Sequence, residues 1–393
     1  MGLKQLAELC LAEQLQICQF CARVAHKQSG SAAFEIVRRE SRSAPKWYSS
    51  VMPQNEADVL RLAQRDAELY TASFLEQLPR AVRDRRRTDR GFCSRINKRW
   101  RQAIELFEGV LLLANQLGSE FNHEESAHAK QRNDLMFAAL VRLHARRCLL
   151  CWEVLALLKT GFASGAYARW RTFHETSVTA WFISNGDQLL AEKYLAHQAI
   201  KNLEDAEQYQ KDCAELGLKP ISEEYMKALR LNCEQLKKKY GDAFSGGYGW
   251  AAEVVRAKLS SHKGSINFNH LEQAADQSHM RSYYRFASHS IHPTSKGLQY
   301  EIGLIRQGEV FLSGPSNYGL AEPANASCSS LKQATTALLM LKPNRQRLAS
   351  LMALDNMIRE TTTAFSKAEQ RIVREDSEIR SKNYKSPERR KQR

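Results

Sequence analysis

The stretch from Asn133 to Gly161 reads NDLMFAALVRLHARRCLLCWEVLALLKTG. Its apolar residues recur every three or four positions, which predicts a long helix with one buried face. Asn133 is the predicted N-cap and Gly161 the predicted end of this helix. Ser164 is placed to cap a following helix, so the two form a helical hairpin with a tight turn. This hairpin predicts a mainly α protein.

The second helix of the hairpin mixes aromatic and charged residues. It reads SGAYARWRTFHETSVTAWF over residues 164–182. Arg171 and His174 are three positions apart and share a face, and Glu175 is placed to form an ion pair with Arg171. Arg169 and His174 lie about 140° apart around the helix. These residues are predicted to form a structural polar network or to line a partly buried cleft.

A second concentration of arginine and histidine follows at residues 283–297, YYRFASHSIHPTSKG. In a helix, Arg285, His289 and His292 fall within about 60° of one another, and Arg281 extends the same face by one turn. Arginine binds phosphate and histidine transfers protons, so this face is suited to phosphodiester chemistry. The alternative is structural, because histidines near helix ends often cap the last carbonyls.

The chain has 393 residues and a formal net charge of +15, which favours an anionic partner. We expect that partner to be nucleic acid, RNA rather than DNA. Basic residues are concentrated before residue 101 and again in the C-terminal tail, although such runs are often only solvated faces. The residues predicted to bind nucleic acid are Arg83, Arg85, Arg86, Arg87, Arg90, Arg171 and Arg281.

No segment has the roughly 18 uninterrupted apolar residues that a membrane span needs, and the N-terminal residues do not resemble a secretory leader. We therefore expect a cytoplasmic protein without a membrane partner. Nine cysteines without framework spacing argue against a disulfide scaffold. The pairs Cys18/Cys21 and Cys148/Cys151 lie in helical patterns, which indicates buried thiols, so no metal or other cofactor is predicted.

The predicted organisation has three parts. Residues 1–95 form an N-terminal helical extension with the basic stretch, residues 96–345 form a helical domain, and residues 346–393 form a C-terminal helix with a basic, disordered tail from about Ser377. Within the domain, alternating residues from Leu298 to Leu312 predict a small β-hairpin.

Several stretches together resemble a known bacterial family. They are residues 164–175 (SGAYARWRTFHE), 191–197 (AEKYLAH), 240–241 with 248–251 (YG and YGWA), and 284–297 (YRFASHSIHPTSKG). In this order, over roughly residues 100–345, they are similar to the family catalogued as domain of unknown function 5677. That family is in turn similar to the HEPN superfamily of helical proteins.

The HEPN resemblance implies a helical bundle acting as a homodimer, and many members are metal-independent ribonucleases of toxin and anti-phage defence systems. Their Arg-x4-6-His motif is matched by Arg169 with His174 and by Arg285 with His292. Active members usually carry a polar residue after the arginine, where this chain has Trp170 and Phe286.

Two functions are predicted. The first is an RNA-cleaving effector in which histidine deprotonates a ribose 2′-hydroxyl and arginine stabilises the charge on phosphate. Its predicted catalytic residues are Arg285, His292, His289, Arg169 and His174. The second is a non-catalytic helical module that binds nucleic acid or a partner protein. A third, weaker interpretation is a small-molecule enzyme that uses the aromatic residues Trp170, Phe173 and Trp181.

Overall fold

A computed structural model of the chain describes residues 56–260, 264–292, 294–307 and 311–390. The chain divides after Arg85 into two units. The described part of the first unit is the exposed amino-terminal portion of helix α1 (Glu56–Arg99). The second unit contains the buried core and both arginine- and histidine-rich stretches. Helix α1 continues through Pro79, where the sequence predicts a break.

The helices that follow α1 are, in chain order, α2 (Arg101–Gln131), α3 (Leu135–Lys159), α4 (Ala163–Ser184), α5 (Gln188–Ala196), α6 (Gln198–Asp212), α7 (Glu223–Tyr240), α8 (Ala252–Lys258), α9 (Phe268–Ala274), α10 (Arg281–Ser288), α11 (Ser295–Gln299), α12 (Ala321–Leu339) and α13 (Arg345–Arg390). Short 3₁₀ helices occupy Asp242–Ser245, Gly249–Ala251 and Ser278–Met280. The protein is mainly α, as predicted. None of the described helices is long and apolar enough to cross a membrane.

The predicted hairpin is formed by α3 and α4, but its caps differ from the prediction. Asp134, not Asn133, caps α3 by accepting a hydrogen bond from the Phe137 amide (2.9 Å). The reason is backbone geometry, since Asn133 adopts a positive φ of 50° while Asp134 is extended. Helix α4 begins at Ala163 without a side-chain cap, so Ser164 lies inside it.

Gly161 makes the turn between these helices. Its φ is +81°, and a Cβ there would lie 2.7 Å from both Ile96 Cδ1 and the Ser316 carbonyl oxygen. A side chain at this position would therefore clash as well as strain the backbone. The glycine that was predicted to end α3 also permits the close approach of the segment before α12.

Helix α4 lies at the centre of the core. Tyr167, Trp170 and Phe173 are almost completely buried. The polar atoms of the first two have partners on α12: Tyr167 donates to Glu322 (2.8 Å), and Trp170 Nε1 donates to Ser330 Oγ (3.0 Å). Burying aromatic surface stabilises the fold, while these bonds avoid the cost of unpaired buried donors.

The predicted β-hairpin is not found, because no strand occurs in the described residues of Leu298–Leu312. Thr294 instead caps the short helix α11, accepting from the Gly297 amide (3.1 Å). Gln307 then bonds both the amide and the carbonyl of Glu301 at 2.8 Å. Local side-chain bonds therefore satisfy backbone groups that a β-ladder would use.

Helix α13 continues to Arg390, which differs from the disordered tail predicted from Ser377. Its last part is rich in Lys, Arg and Glu, which are good helix formers, so polarity alone does not exclude a helix. Residues 1–55 lie outside the described part of the chain, and so does most of the predicted N-terminal extension, including Cys18 and Cys21.

Candidate functional site

The two arginine- and histidine-rich stretches meet in the structure. Arg171, on α4, places its Nη1 3.4 Å from Nε2 of His292, which lies in the turn after α10. A guanidinium group only donates hydrogen bonds, so in this contact Nε2 is the acceptor. His292 is exposed, whereas Arg171 is half-buried.

Tyr284 connects Arg171 to Glu175 and Arg281. Its hydroxyl donates to Glu175 Oε1 (2.5 Å), and its ring lies 4.7 Å from the Arg171 guanidinium and 5.0 Å from that of Arg281. Glu175 also forms the predicted ion pair with Arg171 (3.4 Å). Burial, followed by the bond to Glu175, raises the pKa of Tyr284 to about 12. Tyr284 therefore remains neutral and holds Arg171 through cation–π attraction.

His174 lies inside the core. Its Nε2 is 2.9 Å from Oε1 of Glu272, and the other oxygen of Glu272 accepts from Arg281 (2.5 Å). His174 is 1% exposed and Glu272 is fully buried. The imidazole also stacks on Trp170, with ring centroids 5.3 Å apart. Here His174 and Arg281 are both bound to one buried carboxylate.

A cavity of about 230 Å³ adjoins His174. It is lined mainly by residues of α4, α12 and the 3₁₀ turn before α10, including Trp181, Met280 and Gln333. The Gln333 Nε2 atom is buried and has no hydrogen-bond partner. Of the three aromatic residues predicted to line a small-molecule cleft, Trp181 lines this cavity. Trp170 and Phe173 are buried in the core.

The turn that carries His292 is held in place by Thr294. Its hydroxyl oxygen lies 3.1 Å from His289 Nδ1 and accepts from the Gly297 amide at the same distance. Its backbone amide donates to the His292 carbonyl (2.7 Å). One side chain thus connects His289, the end of the turn and the start of α11.

The predicted common face of Arg285, His289 and His292 does not extend through the whole stretch, because α10 ends at Ser288. Arg285 is exposed and has no hydrogen bond or ion pair with a described residue. Lys296 is also exposed, with its Nζ 4.6 Å from the Phe286 ring. These two cations add positive charge to the stretch of chain that carries the exposed histidine.

Arg169 faces away from His174 and forms an ion pair with Glu153 of α3. Five positions along a helix separate two side chains by about 140°, so the different surroundings of these two residues follow from the helix period. The structure therefore brings together Arg171, from the first arginine- and histidine-rich stretch, and His292, from the second. It does not bring together Arg169 and His174.

The predicted basic segment lies on α1. The side chains of Arg83, Arg85, Arg86, Arg87 and Arg90 are exposed. The first two belong to the first unit and the other three to the second. Arg85 has a partner, whereas Arg86, Arg87 and Arg90 make no hydrogen bond or ion pair with a described residue.

Cys148 and Cys151 are buried free thiols inside α3, as predicted. Burial raises the pKa of Cys148 to about 11 and also raises that of Cys151. A protonated thiol is a poor metal ligand. Among the described residues, no three His, Cys, Asp or Glu side chains are grouped closely enough to hold a metal ion.

Residues 137–308 match the model of a family described as "Family of unknown function (DUF5677)". This part of the chain is therefore similar to that family and is called the DUF5677 segment below. The DUF5677 segment extends from the first turn of α3 to beyond α11, and it contains Arg171, Glu272, Tyr284 and His292. It is shorter than the 100–345 expected from the sequence, and it excludes α2, α12 and α13. No curated protein and no solved structure matches the chain significantly.

The sequence analysis missed Glu272 and the role of Tyr284 in the DUF5677 segment. A signal for Glu272 exists, because it is the only charged residue in the seven-residue helix FNHLEQA. A carboxylate next to apolar residues that pack in the core needs a buried partner. Which partner it finds, His174 or another residue, does not follow from that pattern.

Proposed function

We propose that this protein is a metal-independent endoribonuclease whose active centre is the Arg171–His292 pair. The observation that carries the proposal is the 3.4 Å contact between Arg171 Nη1 and His292 Nε2. The contact presents a proton-accepting ring nitrogen next to a guanidinium group on an accessible turn. Those are the two groups that cleavage next to a ribose 2′-hydroxyl requires.

In the proposed reaction, His292 Nε2 accepts the proton of the ribose 2′-hydroxyl. The 2′-oxygen then attacks the adjacent phosphorus, forming a 2′,3′-cyclic phosphate and releasing the 5′-oxygen of the next nucleotide. Arg171 moves from the ring nitrogen to the non-bridging oxygens, where negative charge develops. Arg285 and Lys296, both exposed, attract the phosphate to this surface.

His289 is the proposed second proton-transfer group. Its Nδ1 is bound to Thr294, and its Nε2 has no hydrogen bond with a described residue. A histidine that is held at one nitrogen has the other available to donate a proton to the departing 5′-oxygen. His174 and Arg281 have a positioning role in this proposal. Both bind Glu272, and Arg281 also contacts the Tyr284 ring, which in turn holds Arg171.

The resemblance to HEPN proteins supports the biological setting that we propose, a bacterial toxin or anti-phage defence system with the protein acting as a homodimer. A second function, a non-catalytic module that binds nucleic acid or a partner protein, is favoured by one observation. Arg171 is already paired with Glu175 at 3.4 Å, as in a structural network.

The test is cleavage of a labelled single-stranded RNA by the purified full-length chain in the presence of EDTA. We expect products ending in a 2′,3′-cyclic phosphate and no cleavage of the all-deoxy strand. His292→Ala should lower the rate by about 10²–10⁴-fold without changing the melting temperature. His123→Ala, at an exposed histidine of α2, is the matched control and should cleave like the wild type.

Equal cleavage by the two histidine variants would overturn the assignment of His292. Absence of cleavage by the wild type, together with RNA binding that survives in both variants, would instead support the non-catalytic module.

A further inference from the structure

A groove remote in sequence from the proposed active centre has a charged lining that is mainly basic. It lies in the second unit, between the junction of α1 with α2 and the middle of α13, and its volume is about 390 Å³. Its charged lining residues are Lys98, Arg99, Arg101, Glu105, Lys367, Arg371 and Arg374. Six of these seven are cationic, which is far from the mixed charge of an ordinary surface.

Most of this positive charge is not neutralised. Lys98, Arg101, Lys367 and Arg374 are exposed and have no hydrogen bond or ion pair with a described residue. Arg99 and Arg371 differ, because both contact Glu375, at 2.7 and 3.8 Å.

The two paired arginines have a structural role. Arg371 also donates to the carbonyl oxygen of Arg99 (2.9 Å), which connects α13 to the end of α1. They therefore hold the walls of the groove together while the four unpaired cations face solvent.

The floor of the groove is apolar and rigid. Trp100 is fully buried and packs at a tilt against Phe365 of α13, with ring centroids 5.7 Å apart. Its Nε1 donates to Asn317 Oδ1 (3.1 Å). Ala364 and Ala368 complete the floor on the α13 side. Small residues on one wall let an elongated ligand lie close to the helix axis.

The groove also contains the start of a helix. α2 begins at Arg101 with no side-chain cap and no acidic residue in its first turn. The carbonyl end of α1 lies at the same junction, at Arg99, and opposes the partial charge of the first amides of α2, so the positive charge of the groove comes from its side chains.

A second, wider groove continues from the first. It shares Lys98, Arg101 and Glu105 with the first. Its own charged residues, Glu108 and Lys159, form an ion pair with each other at 2.6 Å. Its volume is about 1050 Å³. The two together form one track, in which the four unpaired cations of the first groove are the groups available to bind phosphates.

We infer that this track binds the phosphate backbone of single-stranded RNA independently of its sequence, and so holds the substrate strand while the Arg171–His292 centre cuts it. The choice of RNA rests on the proposed function. The anionic character of the ligand rests on the groove alone. Free cations in a groove bind a polyanion by releasing its counterions, and the affinity must then fall with salt.

The test measures RNA binding by fluorescence anisotropy, using the full-length chain with His292→Ala so that no RNA is cut. The probe is a fluorescein-labelled oligouridylate of about 20 nucleotides, titrated between about 50 and 200 mM KCl. The groove variant carries Lys367→Glu and Arg374→Glu. The matched control carries Lys227→Glu and Lys238→Glu, which are exposed residues of α7 and change the net charge equally.

We expect the groove variant to bind at least about tenfold more weakly than the control at low salt. Its plot of log K against log salt should be shallower by about 0.7 for each lost phosphate contact. Circular dichroism and melting should be the same for both variants, since all four positions are exposed.

Equal affinities for the groove and control variants would overturn the inference. The inference would also be overturned if the protein bound vesicles containing phosphatidylserine through the groove and did not bind RNA. A different result would contradict the proposed function alone: RNA binds through the groove, but the protein with His292 intact does not cleave it.

Discussion

Arg171 and His292 are 121 positions apart in the chain, and Nη1 of the first lies 3.4 Å from Nε2 of the second. The contact joins α4, which is anchored in the core by Trp170, to an exposed turn. A rigid helix thus positions the arginine, and a turn held by local hydrogen bonds positions the histidine. Catalytic groups need this kind of support, because small displacements are costly in rate.

Thr294→Val should reduce RNA cleavage by roughly tenfold or more while the melting temperature changes little. Valine keeps the shape of threonine but removes the oxygen that contacts His289 Nδ1 and the Gly297 amide. The turn then no longer holds His289 and His292 in one geometry. Cleavage kinetics and thermal melting on the same preparations provide the measurement.

Thr294→Ser is the matched control for that variant, because serine restores the hydroxyl. It should recover most of the lost kcat. If the serine variant is as slow as the valine variant, the hydroxyl does not position the turn.

Glu272→Gln should lower the free energy of unfolding by about 3 kcal/mol. Glu272 is fully buried between His174 and Arg281, and a neutral amide leaves the Arg281 cation without its charged partner. Urea denaturation followed by tryptophan fluorescence measures the change. Glu253→Gln removes a carboxylate that is 79% exposed in its ion pair with Lys193, and it should cost less than about 1 kcal/mol. Similar losses in the two variants would contradict the structural role assigned to Glu272.

Gly118→Ala should destabilise the protein by about 1–2 kcal/mol, although alanine usually stabilises a helix interior. A Cβ at Gly118 would lie 2.4 Å from two atoms of the buried His144 ring. The ring has little freedom to move, since its Nε2 is 3.2 Å from Thr335 Oγ1. The midpoint of urea unfolding is the measurement.

Gly109→Ala, on the same helix α2, is the control for that clash. A Cβ there meets only the terminal methyl group of Met357, at 3.1 Å, and a flexible side-chain end moves readily. We expect no loss of stability at this position. A loss there equal to that of Gly118→Ala would mean that the His144 ring is not the cause.

His144 should make folding stability sensitive to acid. Burial, and then the nearby Arg147 charge, lower the pKa of His144 from 6.5 to about 3 in the folded protein. Between these values only the unfolded chain binds the proton, so the contribution of His144 is complete above pH 6.5 and is lost as the pH falls towards 3. The expected slope is about 1.4 kcal/mol per pH unit.

The measurement is the free energy of unfolding at several values between about pH 6 and pH 4. His144→Gln removes this slope although it lowers stability at neutral pH, and exposed His123→Gln leaves the slope unchanged. The pKa of His197 is also lowered, chiefly by burial. Its contribution to the pH dependence of stability is the same in the wild type and in both variants, so it cancels when their slopes are compared. Identical slopes for His144→Gln and the wild type would refute the assignment.

The amino-acid sequence by itself determined the local structure of the hairpin. The apolar period of residues 135–158 predicts α3, and Gly161 ends it. These features depend on neighbours within about four residues, over which backbone hydrogen bonds and the helix period decide the conformation. The same locality explains the confirmed Arg171–Glu175 ion pair. Where two local solutions compete, the pattern is less decisive, as the absence of a strand among the described residues of 298–312 shows.

Only the tertiary structure decided which distant side chains meet. His174 and His292 both follow an arginine at the spacing of one motif, yet His174 is bound to buried Glu272 while exposed His292 reaches Arg171. Likewise, Lys98 and Arg374 line one groove although they come from opposite ends of the described chain. Such contacts depend on how helices pack, and packing is set by the combined shape of many buried side chains. The helix repeat in the sequence predicts which face of its own helix a residue lies on. It does not predict which other helix that face packs against.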